Sequence, residues 1–181
     1  MQISDYFARV SRALDATPQA PIQEIIRHLQ NARAARRQIF LCGNGGSAAT
    51  VSHIAADLVK STVRPDEPRL RVISLGENLA ALTAYSNDVS YDVVFAEPLR
   101  SLGEPGDILV AVSGSGNSRN VLAAADAARE IGMTCLGLTG FQGGALASRC
   151  DVCVIVPADS MQVIEDAHLS ILHAIFLALC E

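Results

Sequence analysis

The chain has 181 residues, of which 50% are apolar and 18% charged, with a net charge of −5 and a pI near 5.3. That length and apolar share fit one compact domain with a sizeable core, and the acidic balance excludes the broad basic field that nucleic acid or an anionic membrane would demand. No run reaches the roughly 18 apolar residues of a membrane span, and the amphipathic start with Asp5 is no signal peptide, so a cytoplasmic protein without membrane contact is expected.

In chain order, Ile3, Phe7, Val10 and Leu14 fall on one helical stripe and Ile25, Ile26, Leu29 and Ala32 on a second, with Pro18 and Pro21 between them. These helices form an arm, residues 1–37, which either covers the sheet or pairs with another subunit; the 3, 7, 10, 14 spacing is that of a bundle seam. The core, 38–181, opens with an apolar strand over 38–42, a glycine turn through Gly43, Asn44, Gly45, Gly46 and Ser47, and a helix over 48–60. A polar loop with Pro65 and Pro68 leads to a strand over 71–75, a helical stretch over 77–83, a turn at Ser86, Asn87 and Asp88, and a helix over 91–102. A buried strand over 107–112 runs directly into Ser113, Gly114, Ser115, Gly116, Asn117 and Ser118, and then a helix over 120–131. The rest reads as a strand over 133–138, a loop with a short helix near Ala145, a strand over 151–156 and a long helix over 161–180.

Five apolar strands alternating with helices predict a single-domain α/β fold, a five-stranded parallel sheet flanked by helices. The last helix is apolar almost all round, which predicts burial on every side and, in so small a domain, an oligomer.

Two strand–loop–helix units share one chemistry. Glycines allow close backbone approach, hydroxyls donate to anionic oxygens, and the following helix dipole favours negative charge. Neither loop has the spacing of a nucleotide-binding signature. Six clustered residues, four of them Ser113, Ser115, Asn117 and Ser118, favour a phosphate loop over a plain connection.

The ionisable candidates are few. His53 and Asp57, four apart, share a helix face one turn beyond the first loop. Glu165, Asp166, His168 and His173 lie on the apolar last helix, where unpaired polar groups are costly. Glu165 and His173 are separated by about 80° of rotation and roughly 12 Å of rise, so two long side chains could converge on one substrate or metal. The five cysteines read as reduced, small apolar residues. Cys150 and Cys153 have redox or zinc-knuckle spacing, but positions three apart in a strand face opposite sides and no second pair follows.

The run from Cys42 to Ser47, the loop from Ser113 to Ser118 and the closing stretch from Glu165 to His173 together resemble the sugar isomerase (SIS) domain family, within it the branch that isomerises sedoheptulose 7-phosphate. The likeness covers essentially the whole chain. It implies a homotetramer of five-stranded subunits, with the leading helices packing in the oligomer and sites at subunit interfaces, and a sugar phosphate as the partner molecule. Carried over by position, it implies substrate contacts from Asn44, Gly45, Gly46, Ser47, Asp88, Ser113, Gly114, Ser115, Ser118 and Glu165. His53, Asp57, Glu165 and His173 match positions that bind zinc in some members, and Asp57, Glu165 and His173 are the catalytic candidates, with no nucleotide cofactor. Asp57 stands where the family usually has glutamate, Glu165 where it has glutamine, and Gln162 where it has aspartate. The implied activity is aldose–ketose isomerisation through a cis-enediol. The alternatives are isomerisation of another ketose phosphate and a non-catalytic adaptor that binds a replication initiator.

Overall fold

Strand β1, Gln38–Cys42, has no polar face: Ile39 and Leu41 point to one side, Phe40 and Cys42 to the other, and none is more than 1% exposed. Such a strand must be covered on both faces. The structure, a computed structural model describing residues 2–181, provides that cover with a five-stranded parallel sheet between two helical layers.

The helices α1 (Ile3–Ala16) and α2 (Gln19–Ala34) precede β1, and α3 (Gly46–Ser61) follows it. Then come β2 (Arg71–Ser74), α4 (Leu79–Asp88), a 3-10 turn at Tyr91–Val93 and α5 (Ala96–Leu102). The second half holds β3 (Ile108–Ser113), α6 (Arg119–Ile131), β4 (Thr134–Gly140), α7 (Gly144–Ala147), β5 (Val152–Val156) and α8 (Met161–Ala178). Strand order is β2-β1-β3-β4-β5, with Leu41 opposite both Ser74 and Val110, and Leu138 opposite Val112 and Val154.

Alternation along the strands sorts the core into two layers. Ile39, Leu41, Val110, Leu138 and Val154 pack against α1, α2, α3 and α8, while Phe40, Leu109, Ala111 and Cys135 pack against α5, α6 and α7. The leading helices thus cover the sheet of their own chain through Ala13, Ile25, Ile26, Leu29 and Ala32. Tyr6 donates to the Asp166 carboxylate at 2.5 Å and Arg9 pairs with Asp159 at 3.0 Å, which ties α1 to α8 and its approach. Ile3 and Phe7 remain 76% and 65% exposed.

Three elements differ from the sequence reading. The expected turn at Ser86, Asn87 and Asp88 is the last turn of α4; the Thr83 and Ser86 hydroxyls donate to carbonyls one turn back, at Leu79 and Leu82, and so sit within the helix without competing for its backbone. The single helix expected over 91–102 is divided, because Pro98 has no N–H for the Val94 carbonyl. Helix α8 is not buried on every side within one chain: Val163, Ile164, Ala167, Ile171, Leu172 and Ile175 face the core, but Leu177 is 59% exposed.

The C-terminal ends of three helices meet at Arg33. This side chain, in the last turn of α2, donates to the carbonyls of Thr62 and Leu179 just beyond α3 and α8, and pairs with Glu67 at 2.7 Å. A buried cation there answers the partial negative charge of the helix ends. Among the described residues no helix is long and apolar enough to cross a membrane.

Candidate active site

The strand order reverses direction between β1 and β3. From β1 the chain turns into α3 on one face of the sheet, and from β3 it turns into α6 on the other, so the two connecting loops part and leave a crevice at the carboxyl ends of the strands. Ligands of open parallel sheets bind at such switch points.

The first loop is shaped by glycine. Gly45 precedes α3 with φ +54° and ψ −119°, a conformation closed to side chains with a β-carbon. At Gly43 a β-carbon would lie 2.8 Å from that of Ser47, and at Gly46 it would lie 2.7 Å from the Glu165 carboxylate. Glu165 therefore reaches from α8 across the N-terminus of α3, where the helix dipole favours a negative charge.

The second loop closes on itself: the buried Ser113 hydroxyl donates to Ser118 Oγ at 3.1 Å, and Ser115 Oγ accepts from the Asn117 N–H at 3.1 Å. Asn117 Oδ1 in turn accepts from the Ala145 N–H, and the Leu146 N–H donates to the Gly116 carbonyl, so α7 props the loop from behind. Met161, at the start of α8, packs where a β-carbon on Gly114 would stand.

An amide pair joins the loops. Asn44 and Asn120 exchange two hydrogen bonds of 2.8 Å, Asn120 Oδ1 also accepts from the Val121 N–H, and the Tyr91 hydroxyl donates to Asn44 Oδ1 at 2.9 Å. Both lone pairs of each amide oxygen are thereby used, so Asn44 can offer a ligand only its remaining N–H. Sequence reasoning missed Asn120 and Tyr91: one is 2% exposed in the first turn of α6 and the other is half-exposed, and neither lies in a motif. Asp88, three residues before Tyr91, is exposed and accepts from Asn87 at 2.7 Å.

Behind the first loop, α3 and α8 bring together three of the expected metal-type residues. His53 Nε2 lies 3.0 Å from His173 Nε2, and the Asp57 carboxylate lies 3.4 Å from the first and 3.7 Å from the second. All three donor atoms fall within 4.8 Å of one another, with the rings at right angles and 5.1 Å apart. Two imidazole nitrogens at 3.0 Å need a shared proton or a cation between them. Zinc bound tetrahedrally at about 2.0–2.1 Å separates its nitrogen ligands by roughly 3.3 Å, a spacing that these three distances bracket. Three protein ligands with one position open is the arrangement of catalytic zinc sites. Glu165, the fourth candidate, is not in this group; its carboxylate lies over Gly46.

A parallel sheet of this order, with paired glycine and serine loops at its switch point and an imidazole–carboxylate cluster beside them, defines a sugar-phosphate-type SIS fold. The chain belongs to the SIS domain family, whose sequence profile matches residues 4–140. It is 39% identical over 178 residues to a phosphoheptose isomerase of Thiobacillus denitrificans, covering 96% of this chain and 90% of that one. Against a phosphoheptose isomerase of Desulfovibrio desulfuricans it is 41% identical over 166 residues, 92% and 79% of the two chains. The solved phosphoheptose isomerase of Neisseria gonorrhoeae superposes with a TM-score of 0.88 at 32% identity, over 97% of this chain and 93% of that one.

Proposed function

We propose that this protein is a phosphoheptose isomerase, interconverting sedoheptulose 7-phosphate and its aldose. The reading is supported by near-full-length likeness to proteins of that name. The observation that carries its chemistry is a carboxylate and an imidazole–carboxylate cluster beside two anion-receptive loops.

The serine loop, with Ser113, Ser115 and Ser118, receives the phosphate, and the first loop, with Gly45, Gly46, Ser47 and the remaining N–H of Asn44, holds the sugar end. Remote phosphate binding positions the reacting carbons. Asp57, beside the two imidazoles, or Glu165, over Gly46, is the carboxylate that removes the proton alpha to the carbonyl and returns it to the neighbouring carbon. A proton shared between Nε2 of His53 and Nε2 of His173 is passed to one substrate oxygen and taken back from the other. In place of that shared proton, His53, Asp57 and His173 would hold zinc, which when bound supplies Lewis-acid polarisation of the carbonyl.

The working unit in this reading is a cytoplasmic homotetramer of one-domain chains, each a helical arm over 1–37 on a core over 38–181. Exposed Ile3, Phe7 and Leu177 and the exposed His53 support an assembly that covers them, and five free cysteines suit a reducing compartment.

The test is direct conversion of sedoheptulose 7-phosphate by the purified protein, followed by NMR alongside other ketose phosphates. Conversion that falls roughly 10²–10⁴-fold in Asp57→Asn or in Glu165→Ala is the expected result. No conversion of the heptose by wild-type protein, with or without added zinc, overturns it, and conversion of a different ketose phosphate alone reassigns the substrate.

A further inference from the structure

The isomerase reading leaves a cluster of sulfur atoms at the other end of the sheet without a role. Cys150 lies ahead of β5, outside the strand, so the alternation expected to send it and Cys153 to opposite sides does not apply. Both sulfurs lie over Gly137 of β4: a β-carbon there would stand 2.6 Å from Cys150 Sγ and 3.0 Å from Cys153 Sγ. Gly137 is thus the space that the two thiols fill. On the other side of Cys150, the sulfur of buried Cys135 is 3.6 Å away.

The backbone around this pair is fixed. The Asp151 N–H donates to the Cys135 carbonyl at 2.8 Å, and the Cys135 N–H donates to the Asp151 carboxylate at 2.8 Å, which places Cys135 against Asp151 and one residue off Cys150. Adjacent strands about 4.8 Å apart with a rise near 3.3 Å put such diagonal neighbours on the order of 6 Å apart at Cα, within the range a disulfide spans. Cys150 and Cys153 are partly exposed, so a small reagent can reach them while Cys135 stays inside.

We propose that Cys135 and Cys150 form a redox-active thiol pair, with Cys153 as an adjoining third sulfur, which a two-electron oxidant such as hydrogen peroxide closes to a disulfide. In the first step Cys150 sulfur attacks peroxide, its S–H proton leaves with the displaced hydroxide as water, and a sulfenic acid forms. In the second, Cys135 sulfur displaces the sulfenic hydroxyl, a second water departs, and the S–S bond forms; peroxide gains the two electrons that the thiols lose. Hydrogen bonding from Cys135 together with burial holds the Cys150 thiol above the ordinary thiol range, and Cys150 together with burial does the same to Cys153. The reaction therefore accelerates as pH rises, because the thiolate is the attacking form.

The bond would close a ring around the segment 136–149. That segment supplies the props of the serine loop: the Gly140 N–H to the Gly114 carbonyl, the Leu146 N–H to the Gly116 carbonyl, and the Ala145 N–H to Asn117. Oxidation would thus tether the back wall of the phosphate loop without touching a residue of the crevice.

The test treats the full-length protein with excess hydrogen peroxide at pH 7 and pH 9, counts free thiols, maps the non-reduced peptides and compares melting temperatures. The proposal expects five thiols to fall to three, a 135–150 cross-link that forms faster at pH 9, and a rise of several degrees in melting temperature that reductant reverses. Cys153→Ser keeps the cross-link and Cys150→Ser loses it. Five surviving thiols overturn the proposal, as does a cross-link through Cys42 or Cys180, an intermolecular one, or a 150–153 bond in place of 135–150. Because none of these readings uses turnover, they stand or fall separately from the isomerase assignment.

Discussion

The carboxylate of Glu165 lies where a β-carbon on Gly46 would have to be, 2.7 Å from that position, so the first glycine of α3 is a seat for a side chain from α8. A methyl group at position 46 would push Glu165 off the N-terminus of α3. Gly46→Ala is expected to lower kcat/KM for the sugar phosphate by about 10²-fold, the scale of a misplacement of about 1 Å in a reacting group. Melting temperature, circular dichroism and elution volume should stay close to wild type, since residue 46 is exposed and helical. Wild-type kcat/KM in this variant would show that Glu165 is not the base.

The Asn44–Asn120 pair predicts a split between binding and turnover. Tyr91→Phe removes one donor to Asn44 Oδ1 and should raise KM a few-fold, in line with about 1 kcal/mol for a single hydrogen bond. Asn120→Ala removes both bonds to Asn44 and should raise KM further, with kcat less affected in both. Steady-state kinetics of the two variants, with inorganic phosphate as competitive ligand, checks this order.

Arg33 predicts a loss of stability remote from the crevice. Arg33→Met keeps the apolar stem but strips the carbonyls of Thr62 and Leu179 of their donor, with an expected cost of about 2–4 kcal/mol. In a chain of this size that is a melting temperature lower by roughly 5–15 °C. Calorimetry on both proteins measures it, and a shift of under a degree would show that water replaces the guanidinium.

His168 sets a pH dependence of stability. Its Nε2–H donates to the Thr139 carbonyl at 3.0 Å, its Nδ1 is buried with no partner, and burial holds its pKa below the ordinary imidazole value. The unfolded chain takes up a proton near its unperturbed pKa of about 6.5, whereas the folded chain resists it until lower pH. The unfolded state then binds more protons, so stability is full above that value and declines as pH falls toward the folded pKa. Urea midpoints should drop between pH 7.5 and pH 5.5, and the drop should be smaller in His168→Gln.

Much of the fold was readable because the strands are apolar runs bounded by glycine or proline. What could not be read depended on atoms distant in sequence. The helix expected over 91–102 breaks where Pro98 leaves Val94 without a donor, a local signal that the apolar pattern outweighed. Within the candidate site, the motif residues flag the two loops, and the i, i+4 spacing puts His53 beside Asp57. The meeting of His53 with His173 needs the angle between α3 and α8, which no spacing encodes. The same holds for Glu165, whose eight-residue offset from His173 is compatible with a shared ligand but which packs on Gly46 instead. Cys150 and Cys153 do not face opposite sides as expected, because Cys150 precedes β5 and the alternation of a strand does not govern it.

Strand β1 is first in the chain yet lies inside the sheet, and both of its neighbours, β2 and β3, come later. During synthesis it must therefore wait unpaired until residue 74 has emerged and keep one open edge until residue 113 follows, and the crevice between its loop and the next cannot exist before then. The two imidazoles come together later still, when α8 docks on α3. Pairings between distant segments slow folding and lengthen the time that sticky strands stand open. The segment around which the domain is built is thus also the one most exposed to aggregation while the chain is incomplete.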